Sequence, residues 1–400
     1  MQYRTDPKSG NRLSALGFGC MRFPRNFGQI DAARAEELVR RAVEMGVNYF
    51  DTAYIYFGSE EVLGPILERN HLREKIYLAT KLPALRCKKY EDFDRFFSEQ
   101  LRRLRTDYID YYVMHNLGGP EVWEELRALG IERWIAEKKS AGKIRRLGFS
   151  FHGPTAAFGG LLNAYSWDFC QIQYNYVNTH YQAGAAGLKQ AHALGLPVMV
   201  MEPLLGGKLA GGLPKAAAHL FEKVDPALSP ADWALRWLWD QEEVTVVLSG
   251  MNELSQLEQN ASCAESAPVN CLTAGERGLY AQAVRVFRES FKVPCTGCGY
   301  CMPCPHGVNI PGCFEAYNMS YAMSLFTGLM QYWTSVGVFN SNSSQMASQC
   351  EKCGRCERQC PQRIPIMRSL EEVKKRMEPF YSRAAVPMIR AWLAPGKKKK

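Results

Sequence analysis

Residues 31–52, which read DAARAEELVRRAVEMGVNYFDT, contain the pattern that decides the fold. The first part, Asp31 to Met45, has apolar residues at helical spacing and is followed by Gly46, a residue that commonly ends helices. The second part, Val47 to Thr52, is a short and mainly apolar run, typical of a strand that is buried on both faces. The stretch therefore predicts an amphipathic helix followed by a buried strand.

The same alternation recurs over most of the chain. Eight strands are predicted: Ala15 to Met21, Val47 to Thr52, Ile76 to Lys81, Ile109 to His115, Arg145 to Ser150, Phe169 to Tyr174, Val198 to Glu202 and Val244 to Ser249. Helices are predicted at Asp31 to Met45, Ser59 to Arg69, Tyr90 to Arg105, Glu121 to Ala141, Pro154 to Ala164, Ala183 to Leu194, Pro230 to Trp239, Glu253 to Cys263 and about Ala274 to Phe291. Strand and helix repeated eight times within about 250 residues predict an α/β fold, the (β/α)8 TIM barrel.

The composition excludes several classes of protein. The chain has 400 residues, of which 46% are hydrophobic and 22% charged, as in globular proteins with one large and one smaller domain. The net charge is +9, and four of these charges belong to Lys397 to Lys400, so we expect a solvated basic tail and no nucleic-acid partner. No run of eighteen uncharged apolar residues is present, so no membrane span is expected.

Two runs of cysteine follow the predicted barrel. Residues 294–305 read PCTGCGYCMPCP, and the second run ends in Cys360-Pro361. Three closely spaced thiolates bind one [4Fe-4S] cube, and in two-cluster ferredoxins the proline-followed cysteine ligates the other cube. Two [4Fe-4S] clusters are therefore predicted, one held by Cys295, Cys298, Cys301 and Cys360, the other by Cys350, Cys353, Cys356 and Cys304.

Zinc sites and disulfides are the alternatives for these cysteines. The first run has two residues before Cys304 where the ferredoxin pattern has three. The clusters favour a reducing cytoplasm as the location. The remaining cysteines are expected to be inert thiols: Cys20, Cys87, Cys170, Cys263, Cys271 and Cys313. The predicted domains are a barrel at 1–285, a smaller, mainly helical ferredoxin-like domain at 286–380 and a tail at 381–400, and the lack of a Gly/Ser linker predicts that the two domains dock.

Polar residues stand where predicted strands end. Asp51 ends the second strand and Tyr56 follows in its loop, Lys81 ends the third strand, and His115 ends the fourth. The carboxyl ends of barrel strands meet at one mouth, where barrel enzymes have their active sites. Taken singly, each residue also fits a structural role: a cap, a rim aromatic, a solvated strand end or a core histidine.

The stretch NYFDTAYIYFGSEEVLG at 48–64, with Ala-Thr-Lys81 and Val-Met-His115, resembles the aldo-keto reductase family. The resemblance covers about Ala15 to Cys263, and with the cysteine runs the chain resembles the predicted oxidoreductases of that family with a C-terminal 4Fe-4S domain. It implies carbonyl reduction with Tyr56 as general acid and with Lys81 lowering the pKa of the phenol. Asp51 would hold Lys81, and His115 would orient the substrate oxygen.

A nucleotide site is expected at the same mouth. The resemblance implies that Ser150 and Gln171 contact the nicotinamide and that Gln259 and Asn260 face the adenine. The loops after strands seven and eight are where barrels bind phosphate, and they contain Gly206, Gly207, Ser249 and Gly250. Phe151 stands where the family usually has asparagine, and Met251, Asn252 and Gln256 replace the usual basic residues. NADH is therefore not disfavoured against NADPH.

The leading hypothesis is an iron-sulfur oxidoreductase that reduces a small-molecule carbonyl or enone. Electrons would come from NAD(P)H, from the clusters or from both, and a ferredoxin or flavoprotein is a possible redox partner. Hydride carriers and clusters usually exchange electrons through a flavin, so a bound flavin stays open as a cofactor. The alternative is a non-catalytic electron carrier or regulatory subunit with a vestigial barrel.

Overall fold

The computed structural model describes residues 1–322, 324–337 and 345–379. The chain divides into two compact units. The first unit contains Met1–Gly211 and Asp225–Gly278, and the second contains Gly212–Val224 and the chain from Leu279 onward. The predicted basic tail at 381–400 lies outside the described residues. The domain bounds at residues 285 and 380 stay predictions.

Eight parallel strands close into a barrel in the first unit. They are β1 (Leu16–Gly19), β2 (Tyr49–Asp51), β3 (Tyr77–Leu82), β4 (Ile109–Leu117), β5 (Ile144–Phe151), β6 (Phe169–Gln173), β7 (Val198–Met201) and β8 (Val244–Ser249). Each strand pairs with its neighbours in chain order, and β8 pairs with β1 to complete the ring. This confirms the predicted barrel and all eight of its strands.

Helices follow the strands. They are α1 (Ala32–Glu44), α2 (Ser59–Arg69), α3 (Tyr90–Leu104), α4 (Pro120–Ala128), α5 (Ile131–Ser140), α6 (Thr155–Asn163), α7 (Gly184–Ala193), α8 (Lys215–Glu222), α9 (Pro230–Trp239), α10 (Leu254–Ser266) and α11 (Ala274–Ser290). The prediction of one helix from Glu121 to Ala141 is wrong, because Gly130 adopts a left-handed φ of 89° and separates α4 from α5. Helix α8 was not predicted.

Apolar side chains fill the barrel interior. Tyr49, Tyr111, Phe169 and Val246 belong to one buried cluster that also includes Leu13. Leu13 belongs to an antiparallel hairpin in which Tyr3–Thr5 pairs with Arg12–Ser14. A second and larger cluster contains residues of the barrel strands and of the helices around them. Two layers of apolar side chains therefore pack on the strands, and polar side chains lie at the strand ends.

The described part of the second unit is mainly helical, as predicted. Its later helices are α12 (Ile310–Ala322), α13 (Leu325–Ser335), α14 (Arg355–Gln359) and α15 (Ile366–Met377). Phe314, Tyr332 and Val373 pack in its core. Helix α13 begins separately from α12, because Ser324 caps its start by accepting a hydrogen bond from the Thr327 amide at 3.1 Å. Across the described ranges of the chain, no helix has the length and apolar character needed to cross a bilayer.

Candidate active site

The four residues predicted to form the site lie together at the carboxyl ends of β2, β3 and β4. Asp51 is the last residue of β2, and Lys81 and His115 are near the ends of β3 and β4. The Lys81 ammonium lies 4.9 Å from the centroid of the Tyr56 ring, and the Tyr56 and His115 ring centroids are 5.9 Å apart. Three neighbouring strands and one loop therefore direct a phenol, an amine, an imidazole and a carboxylate to one place.

Lys81 is buried, with 1% of its surface exposed. Its Nζ forms an ion pair with Asp51 and donates a hydrogen bond to the Thr52 carbonyl at 2.8 Å. Gln171 Nε2 donates to the other oxygen of Asp51 at 3.5 Å. Burial lowers the pKa of Lys81, and the Asp51 carboxylate opposes this by favouring the charged amine. Two acceptors thus fix the direction of the ammonium.

A buried polar network supports the backbone of Lys81 from behind. Gln100 of α3 donates from Nε2 to the Lys81 carbonyl at 3.0 Å and to Glu60 of α2 at 2.9 Å. The Tyr112 hydroxyl donates to Gln100 Oε1 at 2.8 Å, and the Thr80 hydroxyl donates to Glu60 at 2.6 Å. This network was not predicted from the sequence. The sequence feature that could have indicated the network is a pair of polar residues, Glu60 and Gln100, on otherwise apolar helix faces.

Tyr56 and His115 face each other edge to face, with their ring planes 86° apart. The loop that carries Tyr56 is held by its own backbone, because the Tyr56 amide donates to the Ala53 carbonyl at 3.0 Å and the Ser59 amide donates to the Tyr56 carbonyl at 2.9 Å. Burial lowers the pKa of His115 well below its usual value, and the neighbouring side chains of Lys81, His152 and Arg86 act in the same direction. The imidazole is therefore neutral at pH 7.

The predicted nicotinamide contacts are adjacent. Gln171 of β6 is the register partner of Ser150 of β5. Ser150 Oγ accepts a hydrogen bond from the Asn116 amide at 2.8 Å, whereas Gln171 Oε1 is buried and has no partner within the described ranges of the chain. A carboxamide needs both donors and acceptors, and a free buried oxygen is one of the groups that it would satisfy. The residues present therefore fit a nicotinamide at this place.

The predicted phosphate and adenine contacts lie at the ends of β7 and β8. Gly206 and Gly207 form an exposed turn with left-handed φ angles of 70° and 94°. Asn260 of α10 donates to the Ser249 hydroxyl at 3.1 Å, which fixes the end of β8. A Cβ on Gly250 would lie 3.1 Å from the Arg22 side chain, so this glycine permits a close approach.

Gln259 and Met251 are used differently from what the sequence suggested. Gln259 Nε2 donates to Ser229 at 2.6 Å and to Asp232 at 2.7 Å, both in the cap of α9. Met251 is 1% exposed and packs in the apolar core, and does not line the loop surface. A contact between Gln259 and an adenine stays a prediction.

Four cysteines from both runs surround one small cavity in the second unit. Cys295, Cys298, Cys301 and Cys360 line it, together with apolar residues such as Ile310 and Phe314. Cys301 lies close enough to the other three thiols to be affected by their charges. The Gly297 amide donates to Cys295 Sγ at 3.4 Å. The structure thus brings together the first predicted ligand set, including the proline-followed cysteine of the second run.

The second predicted ligand set is less closely described. Cys350 lies close enough to Cys356 of α14 to raise the pKa of that thiol. Cys353 is exposed. A zinc ion would need its thiolates about 2.3 Å from one point. Within residues 1–322, 324–337 and 345–379, no three His, Cys, Asp or Glu side chains are arranged to hold a single metal ion. The zinc alternative finds no support in these ranges.

Comparison with protein families identifies both parts of the chain. The model of the aldo/keto reductase family matches residues 15–269, which is more than half of the chain. The chain belongs to the aldo/keto reductase family. A 4Fe-4S dicluster domain matches residues 294–365, so this aldo/keto reductase has an iron-sulfur domain after its barrel.

Known relatives of this aldo/keto reductase cover the barrel. The chain is 30% identical over 274 residues to 6-dehydroglucose reductase of Novosphingobium aromaticivorans, a match that spans 63% of this chain and 87% of the relative. It is 29% identical over 240 residues to methylglyoxal reductase YeaE of Escherichia coli K12, over 57% and 78% of the two chains. Among solved structures, the holo form of aldo-keto reductase AKR11C1 from Bacillus halodurans is similar, with a TM-score of 0.59, 25% identity and coverage of 71% and 96%.

Two further side chains at the mouth of this aldo/keto reductase were missed. Gln173 lies on the same face of β6 as Gln171 and is fully buried, and neither of its amide atoms has a hydrogen-bond partner among the described residues. His152 follows β5 and is 7% exposed, close enough to His115 to affect its charge. Strand alternation was the available signal, because Gln173 and His152 stand two residues after Gln171 and Ser150. Gln173 extends the row of carboxamide groups available to a ligand.

Proposed function

We propose that this aldo/keto reductase reduces the carbonyl group of a small molecule, with Tyr56 as the proton donor. The observation that carries the proposal is the buried Asp51–Lys81 pair beside the Tyr56 ring. A cation at this distance stabilises a phenolate, so the phenol can release its proton more readily than it would in water. The names of the relatives, 6-dehydroglucose reductase and methylglyoxal reductase, support a carbonyl substrate.

The other residues of the site would prepare the carbonyl for reduction. A neutral His115 can donate one hydrogen bond to the substrate oxygen and hold it beside Tyr56, where negative charge develops as carbon is reduced. Reduction adds two electrons and one proton to carbon, equivalent to a hydride, and Tyr56 adds the second proton to oxygen. Asp51 holds Lys81 in place, and Gln171 holds Asp51.

Two electron sources are compatible with these residues. A bound nicotinamide would supply a hydride, and Ser150, Gln171 and Gln173 would hold its carboxamide. The 4Fe-4S domain would supply single electrons, and the cavity lined by Cys295, Cys298, Cys301 and Cys360 would hold one of its clusters. The rival function is an electron carrier whose barrel has lost catalysis, and an intact set of Asp51, Tyr56, Lys81 and His115 disfavours it.

The proposal is tested with Tyr56→Phe, and with Tyr54→Phe as the matched control. Tyr54 belongs to the same loop, but its ring packs against Phe96 with centroids 4.9 Å apart, so its hydroxyl has no role in the proposed chemistry. Tyr56→Phe should lower the turnover of methylglyoxal by roughly 10² to 10⁴, and Tyr54→Phe should leave it nearly unchanged. Near-normal turnover by Tyr56→Phe would remove Tyr56 from the mechanism.

The electron source is tested by reducing the anaerobic protein chemically, without nicotinamide, and offering the same substrate. Product from the wild type and none from a folded Cys350→Ala variant would favour the clusters. Product that forms only after NADH or NADPH is added, at equal rates in both proteins, would favour hydride transfer. Clusters that accept electrons while no donor supports turnover would favour the electron-carrier function.

A further inference from the structure

We propose that the barrel binds a small phosphate-type dianion at the end opposite to Tyr56. A cavity of about 480 Å³ opens there, here called the basic cavity, and its lining includes Asn11, Tyr77, Asp110, Lys139, Arg145 and Arg146. Tyr77 is the first residue of β3, and Asp110 and Arg145 are the second residues of β4 and β5. The cavity therefore lies at the amino ends of β3, β4 and β5, and the carboxyl ends of β3 and β4 carry Lys81 and His115.

Ion pairs around the basic cavity leave an excess of positive charge. Asp110 pairs with Arg145 at 2.8 Å and with Arg73 at 2.9 Å, and Lys139 pairs with Asp168 at 2.6 Å. Arg146 has no carboxylate within 4.0 Å among the described residues. Among the charged residues that line the cavity, three cations (Lys139, Arg145 and Arg146) minus one carboxylate (Asp110) leave a charge of +2. Asp6 is the next carboxylate, but it accepts from the Tyr111 hydroxyl at 2.8 Å and does not line the cavity, and counting it still leaves +1.

Arg146 is the residue that an anion would engage. Arg146 is the register partner of Tyr111, which belongs to the barrel interior. Arg146 therefore lies at the amino-terminal end of that interior. Its Nη1 donates to the Arg145 carbonyl at 3.0 Å, whereas its Nε is buried and has no hydrogen-bond partner in the part of the chain that the structure describes. A partly desolvated guanidinium without a carboxylate is costly, and a doubly charged oxyanion would satisfy it. Guanidinium groups match the oxygens of phosphate with paired hydrogen bonds.

Neutral donors complete the site. The Tyr77 hydroxyl forms no hydrogen bond with any described residue, and Asn11 Nδ2 uses one of its two hydrogens on the Tyr111 hydroxyl at 3.1 Å. Both side chains line the cavity beside the arginines. Its volume lies within the range of small-molecule sites, about 300–1,000 Å³, so it admits an organic phosphate as well as a free ion.

The test is calorimetric titration of the full-length, anaerobically prepared protein at constant ionic strength. The probes are inorganic phosphate and AMP, which distinguish a free ion from a phosphate ester. Arg146→Gln removes the unpaired charge, and Arg133→Gln is the control, because Arg133 is 69% exposed on α5 and does not line the cavity. We expect saturable binding of at least one probe that weakens tenfold or more in Arg146→Gln and is unchanged in Arg133→Gln.

Two results would overturn the proposal. One is the absence of saturable binding by the wild type at millimolar concentrations of both probes. The other is equal affinity in the wild type and in Arg146→Gln, which would place the anion at the nucleotide end of the barrel. If Arg146→Gln does not fold, Arg146→Lys keeps the charge and loses the paired geometry, and it should weaken binding severalfold. Unchanged affinity in Arg146→Lys would then count against the proposal.

Discussion

Burial lowers the pKa of His115 well below its usual value, and the neighbouring side chains of Lys81, His152 and Arg86 act in the same direction. The unfolded chain therefore binds a proton at His115 as the pH falls through about 6.5, and the folded protein does not. The unfolding free energy consequently decreases as the pH is lowered below that value. Between pH 6 and 5, we expect the unfolding free energy of the wild type to decrease by up to about 1.4 kcal/mol per pH unit more than that of His115→Gln. The measurement is urea unfolding followed by tryptophan fluorescence. Equal slopes would mean that folded His115 is protonated.

The choice of nucleotide depends on residues after β8. Met251 is in the core there, and neither Asn252 nor Gln256 carries a charge, so no basic residue of this loop is available for a 2′-phosphate. We expect NADH to bind at least as tightly as NADPH in fluorescence titrations at constant ionic strength. A clear preference for NADPH would contradict this prediction and direct attention to Arg22, which packs beside Gly250.

Single residues also show what a sequence can predict. Asp51, Tyr56, Lys81 and His115 were found because their order and spacing match a family pattern. Strand alternation at Gln173 and an apolar helix face around Gln100 mark these residues, but neither signal indicates that one lies at the mouth and the other beneath Lys81. Such contacts depend on which strand and helix become neighbours, and that is decided by the closed barrel.

At the scale of helices and strands, Gln100 connects α3 to α2, β3 and β4. Gln100→Leu would remove one hydrogen bond from each of three groups: Glu60, the Tyr112 hydroxyl and the Lys81 carbonyl. Each such loss costs about 1–3 kcal/mol, so we expect the unfolding free energy to fall by about 3 kcal/mol or more in urea titrations. Gln190→Leu, on the exposed face of α7, should change it by less than about 0.5 kcal/mol. A similarly small effect of Gln100→Leu would show that the network is not stabilising.

The existence of these elements was more predictable than their interruptions. All eight strands were identified because each is a short apolar run with turn residues on either side. The break between α4 and α5 was missed because Gly130 interrupts a periodic pattern that continues on both sides of it. A glycine in such a pattern is compatible with a helix, and only its left-handed φ shows that the helix ends there.

At the scale of the whole molecule, the dicluster domain predicts the iron content. Anaerobically prepared protein should contain about 8 iron and about 8 sulfide per chain, by colorimetric assay. Cys360→Ala should lower both values to about 4, because Cys360 lines the cavity with Cys295, Cys298 and Cys301. Cys313→Ala is the control, since Cys313 is a buried thiol of the same unit that lies outside both predicted ligand sets. Stoichiometric zinc without sulfide would contradict the cluster assignment.

The pairing of β1 with β8 has a consequence for biosynthesis. Leu16 pairs with Val247, so 231 residues, 247 minus 16, must be added after the first strand before its partner exists. At about 5–20 residues per second, translation of that length takes roughly 10–50 s. During this interval Leu16 and Phe18, which are almost fully buried in the finished barrel, belong to an open strand edge on a nascent chain. A closed sheet made in chain order therefore leaves one edge of its first strand without its final partner until the last strand has been synthesised.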